Sequence, residues 1–308
     1  MLKFDFLIVK FSGMCYNMRI PGFFMPQMAG GWSLVTENAL RERLSQVKCF
    51  MLDMDGTFYL GDRLLDGSLD FLNALERTGR RVLFVTNNSS KSADRYVEKL
   101  RGMGVREPFL NVLTSGQAAG HYCLRTYPGQ KAFLLGNELL RAELERMGLV
   151  IDNEHPDYVL IGYDTTLDYE KMTKVCDLVR AGLPYVATHP DFNCPTETGF
   201  APDIGAIIAF IEASAGRRPD VILGKPYAGI VEEALKLTGL TKQELAMVGD
   251  RLYTDIATGL NFGILSILVL TGEASEADVA ATGVQPDLIF ERLSAMNPYL
   301  EPGKDTKR

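Results

Sequence analysis

Four aspartates of this sequence stand where side chains could hold a divalent cation. Asp53 and Asp55 directly follow an apolar run, and Asp250 follows another run, with Asp255 five residues later. Carboxylates gathered at one place repel one another unless a cation neutralises them. Mg²⁺ takes oxygen ligands and commonly bridges to phosphate. The pattern therefore predicts a magnesium site built from these four residues.

A second set of residues is suited to holding a phosphoryl group. Lys225 supplies a positive point charge, and the hydroxyl of Thr86 and the amide of Asn87 can donate to the same oxygens. The turn at Gly56 would let backbone N–H groups approach an anion closely. Of the paired aspartates around Gly56, one could act as a nucleophile and the other as an acid and base, as in phosphoaspartyl enzymes.

Short apolar runs precede these residues and are typical of strands buried on both faces. The runs are VKCFML, RVLFV, FLNVLTS, KAFLLG, DYVLIG, LPYVAT, DVILG, LAMVG and ILSILVL. Helical patterns lie between them and close on a glycine: LDFLNALERTG, SADRYVEKLRGMG, ELLRAELERMG, YEKMTKVCDLVRAG, IGAIIAFIEASAG and YAGIVEEALKLTG. Alternating strands and helices predict a mostly parallel α/β sheet. Because ligands bind beyond the carboxyl ends of parallel strands, we expect the candidate residues to meet at one edge of one sheet.

Composition limits the class of protein. The chain has 308 residues, of which 46% are apolar and 23% charged, as in a globular protein of about two domains. The net charge of −7 and the lack of a basic run argue against a nucleic-acid partner. No stretch reaches the ~20 apolar residues of a membrane span. Five scattered cysteines without a CxxC pair predict a cytoplasmic protein with reduced thiols.

Four short motifs resemble those of the haloacid dehalogenase (HAD) superfamily of phosphohydrolases. They are DMDGT at 53–57, TNN at 86–88, GKP at 224–226 and GDRLYTD at 249–255. Their order, with a long insertion between the second and third, is similar to subfamily IIA, the NagD-like and 4-nitrophenylphosphatase branch. The resemblance covers about residues 45–300. It implies a Rossmann-like core, with a parallel sheet flanked by helices, and an inserted α/β cap domain of the C2 type.

The resemblance also implies roles for individual residues. Asp53 attacks the phosphoryl group, while Asp55 protonates the leaving oxygen and then activates water. Mg²⁺ is held by the Asp53 carboxylate, the Asp55 carbonyl and Asp250, and Asp255 orients a metal-bound water or Lys225. The side chains that hold or face the substrate around the phosphoryl group are Thr86, Asn87, Lys225 and, toward the leaving group, Asn88.

The domain division follows from the insertion. We expect an N-terminal extension over 1–33, a core formed by 34–129 and 205–300, and a cap over 130–204. Cap loops should select the leaving group, and the candidates for contacting the substrate are Tyr163 and Asp164 of IGYD and the segment 189–199, in which Asp191 is assigned to the substrate. For Tyr163, a packed aromatic in a turn is an equal alternative. The resemblance further implies a homodimer formed through the cap.

The function that these expectations favour is a Mg²⁺-dependent phosphatase acting on a small phosphorylated metabolite, such as a nucleotide, a sugar phosphate or phosphoglycolate. Two alternatives stay open. A phosphotransferase would pass the phosphoryl group to an acceptor other than water. A non-catalytic phosphate-binding or receiver-like protein also uses an aspartate cluster, a threonine and a lysine, but Lys225 lies far downstream of Asp53 for a compact receiver.

Overall fold

The computed structural model describes residues 37–196 and 198–301, with only the backbone of Thr196, and the backbone of three short strands. Those strands are Leu7–Ile8, Asn17–Ile20 and Phe23–Pro26. The predicted extension over 1–33 otherwise lies outside the described residues, so its separation from the fold stays a prediction. Leu7–Ile8 pairs antiparallel with the strand Leu288–Phe290.

The chain forms two compact units. The first contains Met1–Phe84, Met103–Phe109 and Thr238–Arg308, and the second contains Val85–Gly102 and Leu110–Leu237. Each unit is therefore built from separated stretches of the sequence.

The first unit contains a parallel sheet whose strands are buried on both faces. In spatial order its parallel strands are Leu288–Phe290, Leu265–Val269, Leu245–Gly249, Cys49–Leu52 and Arg81–Thr86, of which the last strand ends in the second unit. A short antiparallel pair, Tyr59–Leu60 with Arg63–Leu64, follows the central strand. The helical segments of this unit are Glu37–Ser45, Ser68–Arg77, Glu107–Phe109, Lys242–Glu244, Leu252–Ile256, Ala257–Phe262, Glu276–Thr282, Leu293–Met296 and Asn297–Leu300.

The second unit has its own sheet of five parallel strands. Their spatial order is Val150–Ile151, Lys131–Leu135, Tyr158–Ile161, Tyr185–Ala187 and Val221–Ile222. The remaining strands are Val112–Thr114 and the antiparallel pair Asn193–Thr196 with Gly199–Pro202. The helices are Ala93–Gly102, Ser115–Thr126, Glu138–Met147, Tyr169–Arg180, Ile204–Ala215 and Ala228–Thr238, the last residue of which belongs to the first unit.

The predicted elements and fold class are confirmed, since a strand forms within every apolar run and a helix within every pattern that closes on glycine. Gly148 shows why glycine ends these helices. It has φ +104, a conformation that side chains with a Cβ disfavour, and its N–H and that of Leu149 bond to carbonyls of the preceding turn.

The second sheet and its apolar cluster extend past residue 204, the expected end of the cap. Ile204 and Ile208 of the next helix are buried in the same apolar cluster as Val159 and Val175 of the second unit. The strand Val221–Ile222 pairs with Val186 and Ala187 and thus extends the second sheet. A run as short as DVILG does not indicate which sheet it joins. The division into core and cap domains stays a prediction, but the second sheet extends well beyond 130–204.

Among residues 37–196 and 198–301, no helix is both long and apolar enough to cross a membrane. Three of the four cysteines in this part of the chain are buried: Cys49, Cys123 and Cys176. Burial raises the pKa of the Cys49 thiol to about 11 and that of Cys123 to about 12. The thiols of Cys49 and Cys123 are therefore protonated packing groups. The cytoplasmic location stays a prediction.

Candidate active site

Three of the four predicted metal ligands come together in the first unit. Asp53 directly follows the strand Cys49–Leu52, and Asp250 directly follows the neighbouring strand Leu245–Gly249. Asp255 lies in the single helical turn Leu252–Ile256. One carboxylate oxygen from each aspartate lies within 4.8 Å of the other two. The parallel pairing of the two strands explains why residues so far apart in sequence meet.

Asp250 is the buried centre of this acidic cluster, which we define as Asp53, Asp250 and Asp255. The Thr57 hydroxyl donates to Oδ1 of Asp250 at 3.2 Å, and the Glu273 N–H donates to Oδ2 at 2.8 Å. Burial, and then the charge of Asp255, raise the pKa of Asp250. These two donors and the charge of Arg251 only partly oppose the increase, so a further cation nearby would stabilise the ionised form.

Asp255 is fully buried and is held by its own turn. Its carboxylate accepts the Arg251 N–H at 3.1 Å, and its N–H donates to the Arg251 carbonyl at 3.1 Å. Burial by itself lowers the pKa of the Arg251 guanidinium, but Asp53 and Asp250 outweigh it and raise the pKa above its usual value. The Arg251 Nε also lies 3.1 Å from Oε2 of Glu273, so the guanidinium forms an ion pair with a further carboxylate.

Three glycines leave room for the carboxylates of the acidic cluster because they have no Cβ. A Cβ at Gly56 or Gly272 would overlap the Asp250 carboxylate, and a Cβ at Gly249 would overlap that of Asp255. Gly56 also has φ +88. Sequence reasoning missed Gly272 and Thr57 as parts of the site. The pairing of Thr57 with Asp250 spans 193 positions, so no local pattern could have indicated it.

Asp55 is exposed, and the turn that follows it is closed by backbone hydrogen bonds. The N–H of Gly56 donates to the Tyr59 carbonyl at 2.8 Å, and the Gly56 carbonyl accepts the Thr271 hydroxyl at 2.7 Å. The Gly56 N–H is therefore already engaged, and the anion nest expected from the backbone N–H groups of this turn stays a prediction. Gly56 contributes the space that the Asp250 carboxylate occupies.

The donor set of the acidic cluster fits a hard cation. Its three side chains offer only carboxylate oxygens, which suit Mg²⁺ better than soft metals. Within this unit the cluster carries up to three negative charges, and Arg251 is the cation whose pKa responds to them. A divalent ion would offset both causes of the raised pKa of Asp250, which are its burial and then the charge of Asp255.

The predicted phosphate-holding residues Thr86, Asn87 and Lys225 are all buried, and all belong to the second unit. The Asn87 side-chain oxygen accepts the Lys225 N–H at 2.7 Å, and its Nδ2 donates to the Lys225 carbonyl at 2.9 Å. Lys225 directly follows Gly224, where a Cβ would overlap Asn87 and His189. The strand before Lys225 pairs within the second sheet, so the expectation that every motif follows a strand of one sheet is wrong.

Asn88 is fixed by a turn. Its side-chain oxygen accepts the N–H of Ser90 at 2.9 Å and the Ser90 hydroxyl at 2.8 Å, while its N–H donates to the Thr86 hydroxyl oxygen at 3.1 Å. Nδ2 of Asn88 lies 3.9 Å from the sulfur of Cys194. The amide end of Asn88 therefore points toward the strand Asn193–Thr196.

Tyr163 and Asp191, two of the predicted substrate contacts of the cap, occupy different surroundings. The Tyr163 ring is buried in the apolar cluster of the second sheet, as the packed alternative expected. Burial, and then Cys194, raise the pKa of its hydroxyl to about 12. Asp191 instead accepts hydrogen bonds at both carboxylate oxygens from Nδ2 of Asn87, each at 3.1 Å. Sequence reasoning did not predict that pairing.

His189 is fully buried beside Asp191. Its Nδ1 accepts the Asp191 N–H at 3.4 Å, and its Nε2 lies 3.6 Å from Oδ1 of Asp203. Burial lowers the pKa of His189 to about 4, against an opposing contribution from Asp191. The imidazole is therefore neutral at physiological pH.

Comparison with known proteins places the chain among phosphatases. Residues 50–150 match the family Haloacid dehalogenase-like hydrolase, and residues 222–296 match the family HAD-hydrolase-like. The acid sugar phosphatase of Staphylococcus aureus (strain MRSA252) is 40% identical over 259 residues, which cover 84% of this chain and 100% of that protein.

Two of the solved structures that are similar to this chain are also phosphatases. The 4-nitrophenylphosphatase of Thermotoga maritima is 48% identical with a TM-score of 0.82, and the match covers 84% of this chain and 99% of that one. The glycerol phosphate phosphatase of Mycobacterium tuberculosis, solved in complex with magnesium, is 30% identical with a TM-score of 0.75. That match covers 82% of this chain and 78% of the mycobacterial one.

The fold and these similarities define a HAD-like hydrolase, and the chain belongs to the haloacid dehalogenase superfamily. Within the superfamily it is a member of the NagD-like, 4-nitrophenylphosphatase branch of subfamily IIA. The chain is therefore a phosphoric monoester hydrolase, and the non-catalytic, receiver-like alternative is wrong.

Proposed function

We propose that this phosphatase hydrolyses a small sugar or polyol phosphate in a Mg²⁺-dependent reaction in which Asp53 carries the phosphoryl group between two steps. The observation that carries the proposal is the acidic cluster, with its buried Asp250 and three converging carboxylates. The substrate class follows from the names of two similar proteins, an acid sugar phosphatase and a glycerol phosphate phosphatase.

In the first step, a carboxylate oxygen of Asp53 attacks phosphorus, and the bond between phosphorus and the ester oxygen breaks. Asp55 gives its proton to the departing oxygen. In the second step, Asp55 takes a proton from water, whose oxygen attacks the same phosphorus and releases inorganic phosphate and the free Asp53 carboxylate. The exposure of Asp55 supports this role, because an acid that serves both leaving group and water must reach solvent.

The phosphoryl oxygens gain negative charge as the reaction proceeds. We assign Lys225 and the Thr86 hydroxyl to those oxygens and Asn88 to the leaving group. Asp53, Asp250 and Asp255, with the Asp55 carbonyl, would hold Mg²⁺. When bound, the ion neutralises the repulsion between the acidic cluster and the incoming phosphate.

The first experiment measures hydrolysis of 4-nitrophenyl phosphate by the wild-type protein and by Asp53→Asn. We expect the substitution to lower kcat by about 10³-fold or more, because the amide cannot act as the nucleophile. Asp70→Asn, an exposed aspartate on the helix Ser68–Arg77, is the matched control and should keep full activity. Full activity of Asp53→Asn would refute the proposed mechanism.

The second experiment addresses substrate and acceptor. Rates over a panel of sugar, polyol and nucleoside monophosphates, pyridoxal phosphate and phosphoglycolate should be highest for the sugar and polyol esters. Added glycerol tests the phosphotransferase alternative, because a transferase would form glycerol phosphate in place of inorganic phosphate. The homodimer stays a prediction, and the molar mass from light scattering tests it.

A further inference from the structure

We propose that Asp191 is a positioning residue for Lys225 and acts on it through the side-chain amide of Asn87. The inference rests on the proposed function for the role of Lys225, and it adds a residue that has no part in the chemical steps above. It also replaces the expectation that Asp191 contacts the substrate.

The hydrogen bonds of Asn87 carry the argument. Its amide nitrogen has only two hydrogens, and these face the two Asp191 oxygens at 3.1 Å and the Lys225 carbonyl at 2.9 Å. Its oxygen accepts the Lys225 N–H at 2.7 Å. Both amide hydrogens are thus used within the protein, so the side chain holds the Lys225 backbone and does not donate to a phosphoryl group.

Asp191 fixes the orientation of this amide. An asparagine can exchange its oxygen and nitrogen by rotating half a turn, and the rotated form would place its oxygen against the carboxylate. The negative charge of Asp191 excludes that form, because it accepts hydrogen bonds and repels an oxygen. Only the observed orientation allows both hydrogen bonds to the Lys225 backbone.

The same loop packs tightly beside the lysine. The Gly224 N–H donates to the Thr188 carbonyl at 2.7 Å, and a Cβ at Gly224 would overlap His189. Because the neighbouring His189 is neutral, it does not cancel the charge of Asp191. Lys225 is only 2% exposed, so a change in its backbone would shift its ammonium group against fixed surroundings. Loss of the hydrogen bonds from Asn87 should therefore weaken the binding of phosphate by Lys225.

The test is a cycle of three variants, Asn87→Ala, Asp191→Ala and the double variant. Each single substitution removes charge-assisted hydrogen bonds, so we expect kcat/KM for 4-nitrophenyl phosphate to fall about 10- to 100-fold. If Asp191 acts through Asn87, the double variant should lose no more than the worse single variant. The inhibition constant of inorganic phosphate should rise in all three. Multiplicative losses in the double variant would overturn the proposal.

The leaving group gives a second readout. A positioning residue lowers the rate by the same factor for 4-nitrophenyl phosphate and for a sugar phosphate, because both carry the same phosphoryl group. A substrate contact would affect the sugar phosphate alone, and that result would also overturn the proposal. Asp191→Asn keeps the size of the side chain and should lose less activity than Asp191→Ala. It replaces Asp191→Ala in the cycle if the alanine variant does not fold.

Glu233→Gln is the matched control for Asp191→Asn. Its carboxylate is also buried in the second unit, but it accepts a hydrogen bond from Arg125 at 3.0 Å. We expect a lower melting temperature with unchanged kcat/KM and phosphate inhibition. If the proposed function itself is wrong, the result is different, because the activity of the protein then does not depend on Asp53. An active wild type with independent effects of Asn87 and Asp191 would refute the positioning role alone.

Discussion

At the scale of single residues, the position of the Asp250 carboxylate depends on two neighbouring glycines, which have no Cβ. Gly56 and Gly272 leave room for its carboxylate, while Thr57 and the Glu273 N–H donate to it. The backbone at Gly272 has no special φ, so only the missing Cβ explains the glycine there. A substitution that adds a Cβ at this position would therefore disturb the geometry of the acidic cluster without changing its charge.

We predict that Gly272→Ala weakens Mg²⁺ binding by displacing the Asp250 carboxylate. The Mg²⁺ concentration needed for half-maximal activity should rise about tenfold or more, as expected for a disturbed metal ligand. The control is Gly102→Ala at the end of the helix Ala93–Gly102, where a Cβ would meet open space among the described residues. Equal metal requirements in both variants would contradict this account.

A second prediction at this scale concerns pH. The raised pKa of Asp250 means that protons compete with the cation for the acidic cluster, so Mg²⁺ should bind less tightly as pH falls. At a concentration of 100 Kd, a ligand stabilises the fold by about 2.7 kcal/mol. Melting temperatures with Mg²⁺ and with EDTA should differ clearly at pH 8 and less at pH 5.

Asp250→Asn supplies the control for that measurement. It removes a charged ligand and should abolish most of the difference between Mg²⁺ and EDTA at both pH values. A difference that grows as pH falls would contradict the assignment of Asp250 as a cation ligand.

At the scale of elements, local sequence predicted the strands and helices well. Buried parallel strands need apolar side chains on both faces, and helices end where glycine can adopt a positive φ. The capping box at Thr241 and Glu244 also forms, with the Thr241 N–H donating to the Glu244 carboxylate at 2.9 Å. Such signals lie within a few residues and can therefore be read from one segment.

Pairings between distant segments could not be predicted in the same way. The strand Val221–Ile222 joins the second sheet through two residue pairs, and nothing in DVILG distinguishes the two sheets. The bonds of Asn87 to Asp191 and to Lys225 span 104 and 138 positions. The residue types of the candidate site were therefore predictable, whereas the partner that occupies each donor was not.

The extent of the second sheet leads to a prediction about fragments. A fragment over 110–223 should fold more stably than one over 110–204, because the longer one keeps the helix Ile204–Ala215 and the strand Val221–Ile222. Burying each of the isoleucines Ile204, Ile207, Ile208 and Ile211 contributes about 1.5–3 kcal/mol. Urea unfolding followed by circular dichroism measures this difference. Equal midpoints would support the expected boundary at residue 204.

At the scale of the whole molecule, His189 links stability to acidity. Burial holds its pKa at about 4, below the ordinary value of 6.5. Between these values the unfolded chain binds a proton that the folded chain does not, so this residue makes stability fall as pH decreases from 6.5 to 4. Its full contribution is retained above pH 6.5. The loss amounts to about 3 kcal/mol, at 1.36 kcal/mol per unit of pKa shift.

We therefore predict that His189→Asn flattens the dependence of the unfolding free energy on pH over this range. His155→Asn is the matched control, since His155 is exposed and should leave the dependence unchanged. Guanidinium titrations at several pH values give the slopes. Parallel slopes for the wild-type protein and His189→Asn would show that His189 does not control acid stability.

Because Thr57 and Asp250 lie far apart in the sequence, the ribosome synthesises the residues of the acidic cluster at different times. The bonds that hold Lys225 need only residues up to 225, whereas the acidic cluster waits for Asp250 and Asp255. Since translation adds about 5–20 residues per second, a growing chain contains all residues of the Asn87–Lys225 hydrogen bonds before it contains all residues of the acidic cluster. Products of premature termination between these points would retain Lys225 and Asn87 and lack the two carboxylates that lie beside Asp53.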